Sequence, residues 1–250
     1  MNAMTEHLVL RELDGVDELK RSEAFQREVW GADDPPDNSD LMLAIQHEGG
    51  LVAGAFLGGR MLGFLFGFPT SDPQIQHSHR LAVHPDSQGM GLGQKLKWYQ
   101  RDWCLKRGIS MVRWTYDPLR RINAGLNIAR LGATVQTYFE DYYGKMEGIN
   151  AGVPSDRLLA EWDLNAQSVA LRAANEYQRT ETGVTERIAI PSDFAALLRD
   201  DMERAVSERL RARAALRNAF DRGLRITDFD TETAEYILAP YVPFDLAIDV

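Results

Sequence analysis

The sequence predicts a mixed α/β fold in which a mostly antiparallel sheet is flanked by helices. Short apolar stretches recur along the chain, and two of them, Leu51 to Leu57 and Met61 to Phe68, are joined by Gly58-Gly59 as in a hairpin. Segments with helical spacing of apolar residues lie between such stretches. The order is not a strict alternation of strands and helices, which favours a mixed sheet over a parallel one.

The first half of the chain contains most of the predicted strands. Turn residues separate the elements, and Asn38 or Ser39 can cap the second helix. The elements are a strand at Leu8 to Leu13, a helix at Gly15 to Trp30, a helix at Asp40 to His47, the hairpin, a strand at Gln74 to Val83, a helix after Gly93 that runs to about Arg107, and a strand at Met111 to Tyr116.

The second half changes character after Leu164. We therefore predict one domain at residues 1–164 and a C-terminal helix and strand extension at 165–250 that packs on it. The charged helix of the extension is predicted to be a solvated cover, with dimer contact as the alternative. The elements are a helix at Arg120 to Arg130, strands at Ala133 to Tyr143 and Arg157 to Leu164, a helix at Ala166 to Tyr177, a strand at Arg187 to Ile190, one helix from a Ser192 cap to about Phe220, and strands at Leu224 to Phe229 and Ala234 to Leu238.

The composition excludes several classes of protein. The 250 residues are 44% hydrophobic and 26% charged, as in a packed globular chain, and the net charge of −9 disfavours nucleic acid as a partner. Cys104 cannot form an intramolecular disulfide, and no Cys/His cluster predicts a zinc site. Met1 to Glu12 lacks signal features, and the apolar run Leu62 to Pro69 is far below the roughly 18 residues of a membrane span. We expect a cytoplasmic, metal-free protein without a membrane partner.

The most informative segment is a glycine-rich loop. Leu81 to Val83 ends a strand, Gln88 to Gly93 contains three glycines, and a helix follows. Such a loop exposes backbone N–H groups at the positive end of the helix dipole, where a pyrophosphate can bind. Two common phosphate motifs are excluded by spacing, because Gln94 stands where G-x-G-x-x-G needs its last glycine and no glycine begins a Walker loop.

The spacing that does match is Q-x-x-G-x-G, formed by Gln88, Gly91 and Gly93. Behind an L-A-V strand end, it resembles the acetyl-CoA loop of the GCN5-related N-acetyltransferase (GNAT) superfamily, and the resemblance covers residues 8 to 164. It implies a GNAT-like acyl-CoA acyltransferase fold with acetyl-CoA or CoA as co-substrate and no metal. The main chain of the strand end would pair with the pantetheine arm. The implied cofactor contacts are Leu81, Ala82, Val83, Gln88, Gly89, Met90, Gly91, Leu92, Gly93, Gln94, Asn123 and Asn127.

A second part of the resemblance lies in the predicted helix Ile122 to Leu131. Asn123 and Asn127 are four residues apart, hence on one helix face, and Leu131-Gly132-Ala133 follows as in the family's asparagine helix. The stretch Trp114 to Leu119 resembles one bacterial branch of the superfamily. The alternative interpretation of both asparagines is that of surface polar residues.

One feature of the family is missing. Many members have a tyrosine about four residues before the glycine of this L-G pair, as the acid that protonates the leaving CoA thiolate, and Ile128 stands there. Tyr138 or Tyr142 could replace it, although tyrosines at strand spacing are also typical of a core. Water could serve as well, since a thiol with a pKa of about 8 to 9 needs little help.

The general base is open among several side chains. An acceptor ammonium must lose a proton before it attacks the thioester. His77 and His79 share a strand face by alternation, and His79 is the first candidate because it lies nearer the splayed end. Asp117, at the end of its strand, is the second. The alternatives are a hydrogen-bonded strand histidine and an ordinary turn aspartate. Asp156-Arg157 is interpreted as an ion pair at a turn, with a position facing the acceptor cleft as the alternative.

The predicted function is N-acyl transfer. An acetyl or other short acyl group would move from acetyl-CoA to the amine of a small molecule or peptide by direct attack in a ternary complex, without a cysteine intermediate. The alternative is a catalytically silent CoA-binding sensor or assembly module, which Ile128 in the tyrosine position favours.

Overall fold

A computed structural model describes residues 7–31, 33–144, 152–179 and 183–240. The chain divides into two compact units, residues 1–113 and 114–250. The division into a domain at 1–164 and an extension at 165–250 stays a prediction.

The first unit is a sheet with three helices. Its elements are β1 (Val9–Glu12), α1 (Gly15–Trp30), α2 (Ser39–His47), β2 (Leu51–Leu57), β3 (Arg60–Pro69), β4 (Ile75–Val83), α3 (Leu92–Leu105) and the first half of β5 (Met111–Tyr116). The strands follow each other in the order β1-β2-β3-β4-β5, antiparallel up to β4 and parallel between β4 and β5. The predicted elements are confirmed closely, including the Gly58-Gly59 turn, where both φ angles are positive.

The two faces of β3 explain how the helices of this unit pack. Phe64 and Phe66 belong to a buried cluster with side chains of α1 and α2. Gly63 and Gly67 alternate with them and so lie on the other face, against α3. A Cβ at Gly63 would lie 2.9 Å from Leu96 Cδ1, closer than real Cβ contacts. Glycine here lets α3 approach the sheet.

β4 contains a bulge at His79. Phe66 pairs with Arg80 and Gly67 pairs with Ser78, so His79 has no partner residue in β3. On its other edge β4 pairs with β5 over residues 75–77, and within the unit the end of the strand, residues 81–83, pairs with β3 alone. Periodicity in the sequence predicts the strand but not the extra residue.

The second unit is an antiparallel sheet with helices. After the second half of β5 come α4 (Arg121–Ala124), a π-helical turn (Gly125–Arg130), β6 (Thr134–Phe139), β7 (Arg157–Asp163), α5 (Gln167–Ala173), β8 (Glu186–Ala189), α6 (Phe194–Asp200), α7 (Met202–Asp221), β9 (Leu224–Asp230) and β10 (Glu235–Pro240). The strand order is β7-β6-β9-β10-β8. Strands of the predicted extension thus continue the sheet from β6, at the pair Val135 and Ile226.

The long helix predicted from Ser192 to Phe220 is wrong, because it is two helices. The carboxylate of Asp193 accepts a hydrogen bond from Ala196 N and caps α6, and that of Asp201 accepts one from Arg204 N and caps α7. Aspartate at an N-cap satisfies the first N–H groups of a helix, so Asp201 begins a new helix within a continuous helical pattern.

The predicted helix at 120–130 is α-helical in its first part and π-helical in its second part. Beyond Ala124 the chain is π-helical, and Leu131 N donates to Leu126 O, five residues back. Apolar spacing over six residues does not distinguish this wider turn from an α-helix.

α7 has a buried arginine within its apolar stripe. Ala205, Ala212, Leu216 and Ala219 are buried at helical spacing, and Arg209, 1% exposed, stands in the same stripe. The prediction of a solvated cover is therefore wrong for this face of the helix.

Candidate functional site

The predicted cofactor loop is an exposed turn between β4 and α3. It begins with a short 3₁₀ turn, Pro85–Ser87, that is capped by the ring of His84. Gly89 and Gly91 have φ angles of +85° and +67°, a region that favours glycine. Gly91 is also the N-cap residue of α3 and supplies no side-chain acceptor to the helix.

The geometry of this loop fits a pyrophosphate. Lys95 N donates to Gly91 O, so the N–H groups before it, in the first turn of α3, have no acceptor within the helix. A Cβ built on Gly89 or Gly91 meets no described atom within 4 Å, so the space beside these residues is open. Residues 88–91 are exposed, Leu92 is buried beneath them, and Gly93 and Gln94 are half-buried at the start of the helix. An open turn at a helix N-terminus suits an anion.

Two histidines of β4 lie on the side of the sheet that faces α1 and α2. The His77 ring stacks on Phe68 at 4.8 Å between centroids, and the His79 ring lies 5.6 Å from Phe68 and 6.2 Å from His77. Burial, together with the charges of His79 and Lys97, lowers the pKa of His77 to about 4. The side chain of His79 is 40% exposed, which makes it the accessible imidazole of the two.

The loop between α1 and α2 brings a carboxylate to His79. Asp37 Oδ1 lies 3.2 Å from His79 Nε2, and the backbone N of Asp37 donates to Oε1 of the buried Gln26 at 3.0 Å. Asp34, three residues earlier, pairs instead with Arg80 at 2.9 Å. Neither aspartate was predicted as a site residue, and the only signal in the sequence is their place in an acidic, proline-containing loop.

A buried polar network lies between β4 and α3. Lys97 Nζ donates to Ser78 Oγ at 2.8 Å and to Gln100 Oε1 at 3.0 Å, and Gln100 Nε2 donates to Gln76 Oε1 at 2.6 Å. Burial lowers the pKa of Lys97 to about 7 and raises the pKa of Cys104 to about 12. The thiol is therefore protonated near pH 7 and unsuited to be a nucleophile.

Asp117 is held in a buried ion pair. Arg209 Nη1 and Nη2 donate to its two carboxylate oxygens, each at 2.7 Å, and Leu119 N donates to Oδ1 at 2.8 Å. Both carboxylate oxygens of Asp117 are therefore occupied by hydrogen bonds from the protein itself. Of the two predicted bases, His79 has an exposed imidazole, whereas both carboxylate oxygens of Asp117 accept hydrogen bonds from Arg209.

The residues around the predicted asparagine helix differ in exposure. Asn123 is exposed and Asn127 is buried, and Ile128 is completely buried. Tyr138, the proposed substitute acid, donates to Asp156 Oδ2 at 2.6 Å. Burial and this carboxylate raise the pKa of Tyr138, so its proton is poorly available. The side chain of Tyr142, the other candidate acid, is exposed.

Asp156 is a second buried carboxylate bound by α7. Arg213 donates to both of its oxygens, at 2.9 Å and 2.6 Å, and Asp141 N donates at 3.0 Å. Arg157, its predicted partner, donates to the main-chain oxygen of Asp156 at 2.8 Å. The ion pair of Asp156 therefore joins a strand end to the C-terminal extension.

Comparisons with known proteins agree with this geometry. Residues 15–124 match the family model described as Acetyltransferase (GNAT) family. This match covers less than half of the chain. None of the curated proteins matches the chain.

Solved structures show the same fold. The ribosomal-protein-S18-alanine N-acetyltransferase from Escherichia coli aligns over 64% of this chain and 96% of its own, with a TM-score of 0.53 and 19% identity. The structure of yncA from Salmonella typhimurium, solved with its cofactor acetyl-CoA, aligns over 64% of this chain and 96% of its own, with a TM-score of 0.52 and 18% identity. An N-acetyltransferase from Staphylococcus aureus Mu50 aligns over 64% of this chain and 99% of its own, with a TM-score of 0.53 and 13% identity. The predicted resemblance and the GNAT-like fold are thereby confirmed.

Two findings concern membrane spans and metal sites in the part of the chain that the structure describes. Within it, no helix combines the length and apolarity required to cross a membrane. Nor do the described His, Cys, Asp and Glu side chains form a group of three or more that could hold a metal ion.

Sequence reasoning missed the partners of three predicted residues: Asp37 beside His79, Arg209 at Asp117 and Arg213 at Asp156. Arg209 had a readable signal, since it stands at the spacing of the apolar stripe of α7, where a charged residue needs a buried partner. Its partner lies 92 residues earlier in the chain and has no local signal.

Proposed function

We propose that the protein is an N-acyltransferase that transfers an acetyl or other short acyl group from acetyl-CoA to an amine by direct attack in a ternary complex. The observation that carries the proposal is the open turn at Gly91, with its left-handed φ and its place as the N-cap residue of α3. The match of residues 15–124 to the GNAT family supports it. The acceptor would be the amine of a small molecule or a peptide.

The residues that would hold the cofactor come from one continuous segment and one helix. The N–H groups of residues 89–94 would bind the pyrophosphate, and the main chain of Leu81 to Val83 would pair with the pantetheine arm. Asn123 and Asn127 stay proposed cofactor contacts, and of the two Asn123 is accessible to solvent. When bound, acetyl-CoA supplies the acyl thioester and a thiolate leaving group.

The proposed proton transfers use few side chains. The imidazole of His79 accepts the proton of the acceptor ammonium, and the freed amine lone pair can then attack the acyl carbon. Ile128 offers no acid, and the hydroxyl of Tyr138 is committed to Asp156. As the C–N bond forms and the C–S bond breaks, the nitrogen loses its second proton to solvent, and solvent supplies the proton that the leaving thiolate takes up. Positioning of the amine contributes much of the rate.

Cofactor binding is the first test. CoA and acetyl-CoA should raise the melting temperature and give heat in a calorimetric titration, because a ligand that binds the native state alone stabilises it by mass action. NADH should do neither. A saturating titration in which CoA gives no shift and no heat, while NADH gives both, would refute the proposal.

Gly91→Val tests the loop itself, and Gly108→Val is its matched control. Both glycines have positive φ, +67° and +75°, and neither has a described atom within 4 Å of its Cβ position. Both variants should lose similar stability, on the order of 1–3 kcal/mol. CoA affinity should fall at least about tenfold in Gly91→Val alone. Equal CoA affinity in both variants would remove the loop from the site.

Turnover separates the enzyme from the silent CoA-binding module. Release of free thiol from acetyl-CoA is measured with a panel of amines, since the acceptor class is not specified by the fold. Amine-dependent release supports the transferase. The buried Ile128 favours the module, and CoA binding with no release from any amine would establish that alternative.

A further inference from the structure

We propose that Asp37 is the positioning residue of the base: its carboxylate keeps a proton on Nε2 of His79 and thereby leaves Nδ1 as the atom that accepts the acceptor's proton. This inference rests on the proposed function, because it assigns a partner to the proposed base. Its structural half, the tautomer of His79, can be measured without cofactor or acceptor.

The contact itself is specific to one nitrogen. His79 Nε2 lies 3.2 Å from Asp37 Oδ1, and the side chain of Asp37 is 14% exposed, against 40% for His79. An ionised carboxylate only accepts hydrogen bonds, so its approach to within 3.2 Å of Nε2 favours the tautomer with the proton on that nitrogen. A neutral imidazole has one N–H, and the lone pair is then on Nδ1.

The carboxylate is fixed by the loop that carries it. The backbone N of Asp37 donates to the buried Gln26 of α1, and the next residue, Asn38, caps α2 by accepting hydrogen bonds from two backbone N–H groups. Asp37 Oδ2 lies 3.5 Å from Arg80 Nε, so the second oxygen faces a cation. The position of Oδ1 is therefore set by contacts on both sides of the residue.

The imidazole is fixed from the sheet. His79 occupies the bulge of β4, a feature that changes the direction of a side chain relative to regular alternation. Its ring lies 5.7 Å from Phe66, edge to face, and 5.6 Å from Phe68. The other titratable or charged groups that face it are His77, at 6.2 Å between ring centroids, and the pair formed by Asp37 and Arg80.

The proton balance of the step is simple. An N–H bond of the acceptor ammonium breaks, an Nδ1–H bond of His79 forms, and the positive charge passes to the imidazole. Asp37 does not take up a proton; it stabilises the imidazolium through the Nε2–H bond, as the aspartate of a catalytic triad does. The imidazolium later returns its proton to solvent.

The first test is the tautomer. In ¹⁵N-labelled protein, the imidazole nitrogen shifts of His79, assigned with His79→Ala, should show Nε2 protonated and Nδ1 unprotonated in the neutral ring. Asp37→Asn should produce a mixed or reversed tautomer, because the new amide N–H group can donate to Nε2. Asp34→Asn removes the same charge from the same loop without a contact to His79 and should leave the tautomer unchanged.

The second test is turnover. In Asp37→Asn, kcat should fall about tenfold or more with unchanged affinity for CoA, and Asp34→Asn should retain the wild-type kcat. In a His79→Ala background the Asp37 substitution should have no further effect, since Asp37 acts through the imidazole. A purely structural role would predict loss of stability with kcat per folded molecule retained.

Failure of this inference can be distinguished from failure of the proposed function. If Asp37→Asn does not fold, Asp37→Ala gives the same readouts, and a wild-type tautomer in the folded variant overturns the inference. It is also overturned if His79→Ala is inactive while Asp37→Asn keeps full kcat. If the protein binds CoA but no amine supports release, the proposed function fails, and with it the positioning role, even where the tautomer result holds.

Discussion

The ionisable groups near β4 and those near the end of β5 differ in the partners that surround them. In the first unit, His79 is half-exposed beside one carboxylate, and the buried Lys97 donates to the neutral oxygens of Ser78 and Gln100. In the second unit, the buried carboxylates of Asp117 and Asp156 are each bound by an arginine of α7 through two hydrogen bonds.

The difference shows which groups can exchange protons. Burial lowers the pKa of Lys97, which donates hydrogen bonds to the uncharged oxygens of Ser78 and Gln100. Burial alone would also lower the pKa of Arg209, but hydrogen bonding and attraction to Asp117 raise it. The second unit thus pairs its buried carboxylates with arginines, whereas the first unit leaves the imidazole of His79 accessible.

The largest expected effect is the loss of stability when the ion pair of Arg209 and Asp117 in the second unit is broken. Arg209→Met should destabilise the protein by about 3–5 kcal/mol, because Asp117 is left buried without a counter-charge. Urea denaturation measures it. Arg204→Met, an exposed position on the same helix, is the control and should change the unfolding free energy by less than about 0.5 kcal/mol. Equal small effects would mean that the pair does not stabilise the fold.

A nearly comparable effect is expected for the buried cation of the first unit. Lys97 should lose its proton near pH 7 when folded and near pH 10.5 when unfolded. Between these values the unfolded chain binds more protons, so the unfolding free energy should rise with pH, by roughly a few kcal/mol in total. Lys97→Met should abolish this rise. A wild-type profile that is flat or falls over the same range would contradict the assignment.

The third effect is catalytic and separates the two predicted bases. His79→Ala should lower turnover by about 10²-fold with little loss of stability. Asp117→Asn should do the opposite, with lower stability and retained activity per folded molecule, because its carboxylate is engaged by Arg209. Turnover and thermal midpoint are measured on both variants. Activity lost in Asp117→Asn and kept in His79→Ala would reverse the assignment of the base.

The smallest effect concerns the substitute acid. Tyr138→Phe removes one hydrogen bond to Asp156 and should cost about 1 kcal/mol of stability. Turnover should change by less than about threefold, since the phenol holds its proton tightly. A 10²-fold loss of kcat in a folded variant would instead identify Tyr138 as the acid.

Most of the fold was readable from the sequence because its signals are local. The bounds of α1, β2 and β5 agree with the predicted ones, since each is delimited by glycine, proline or a change in apolar period. The bulge at His79 and the π-helical turn after Ala124 were not predicted, because each depends on pairing or packing that leaves the periodicity of the sequence almost unchanged.

The candidate site was readable only in part. The glycine loop has a fixed spacing and a fixed backbone requirement, so Gly91 could be identified from sequence. The contact of Asp37 with His79 joins residues on different elements, and that of Arg209 with Asp117 joins residues 92 apart. Such pairs follow from the tertiary arrangement, and charge patterns along a single segment do not specify them.

The arginines of α7 have a consequence for synthesis of the chain. They reach carboxylates that precede them by 57 to 92 residues, so each acid leaves the ribosome long before its counter-ion. Folding of the second unit should therefore wait until α7 has emerged, and a fragment that stops at residue 164 would leave the buried Asp117 and Asp156 without their counter-ions. The arginines concerned are Arg209 for Asp117, Arg213 for Asp156 and Arg217 for Glu140.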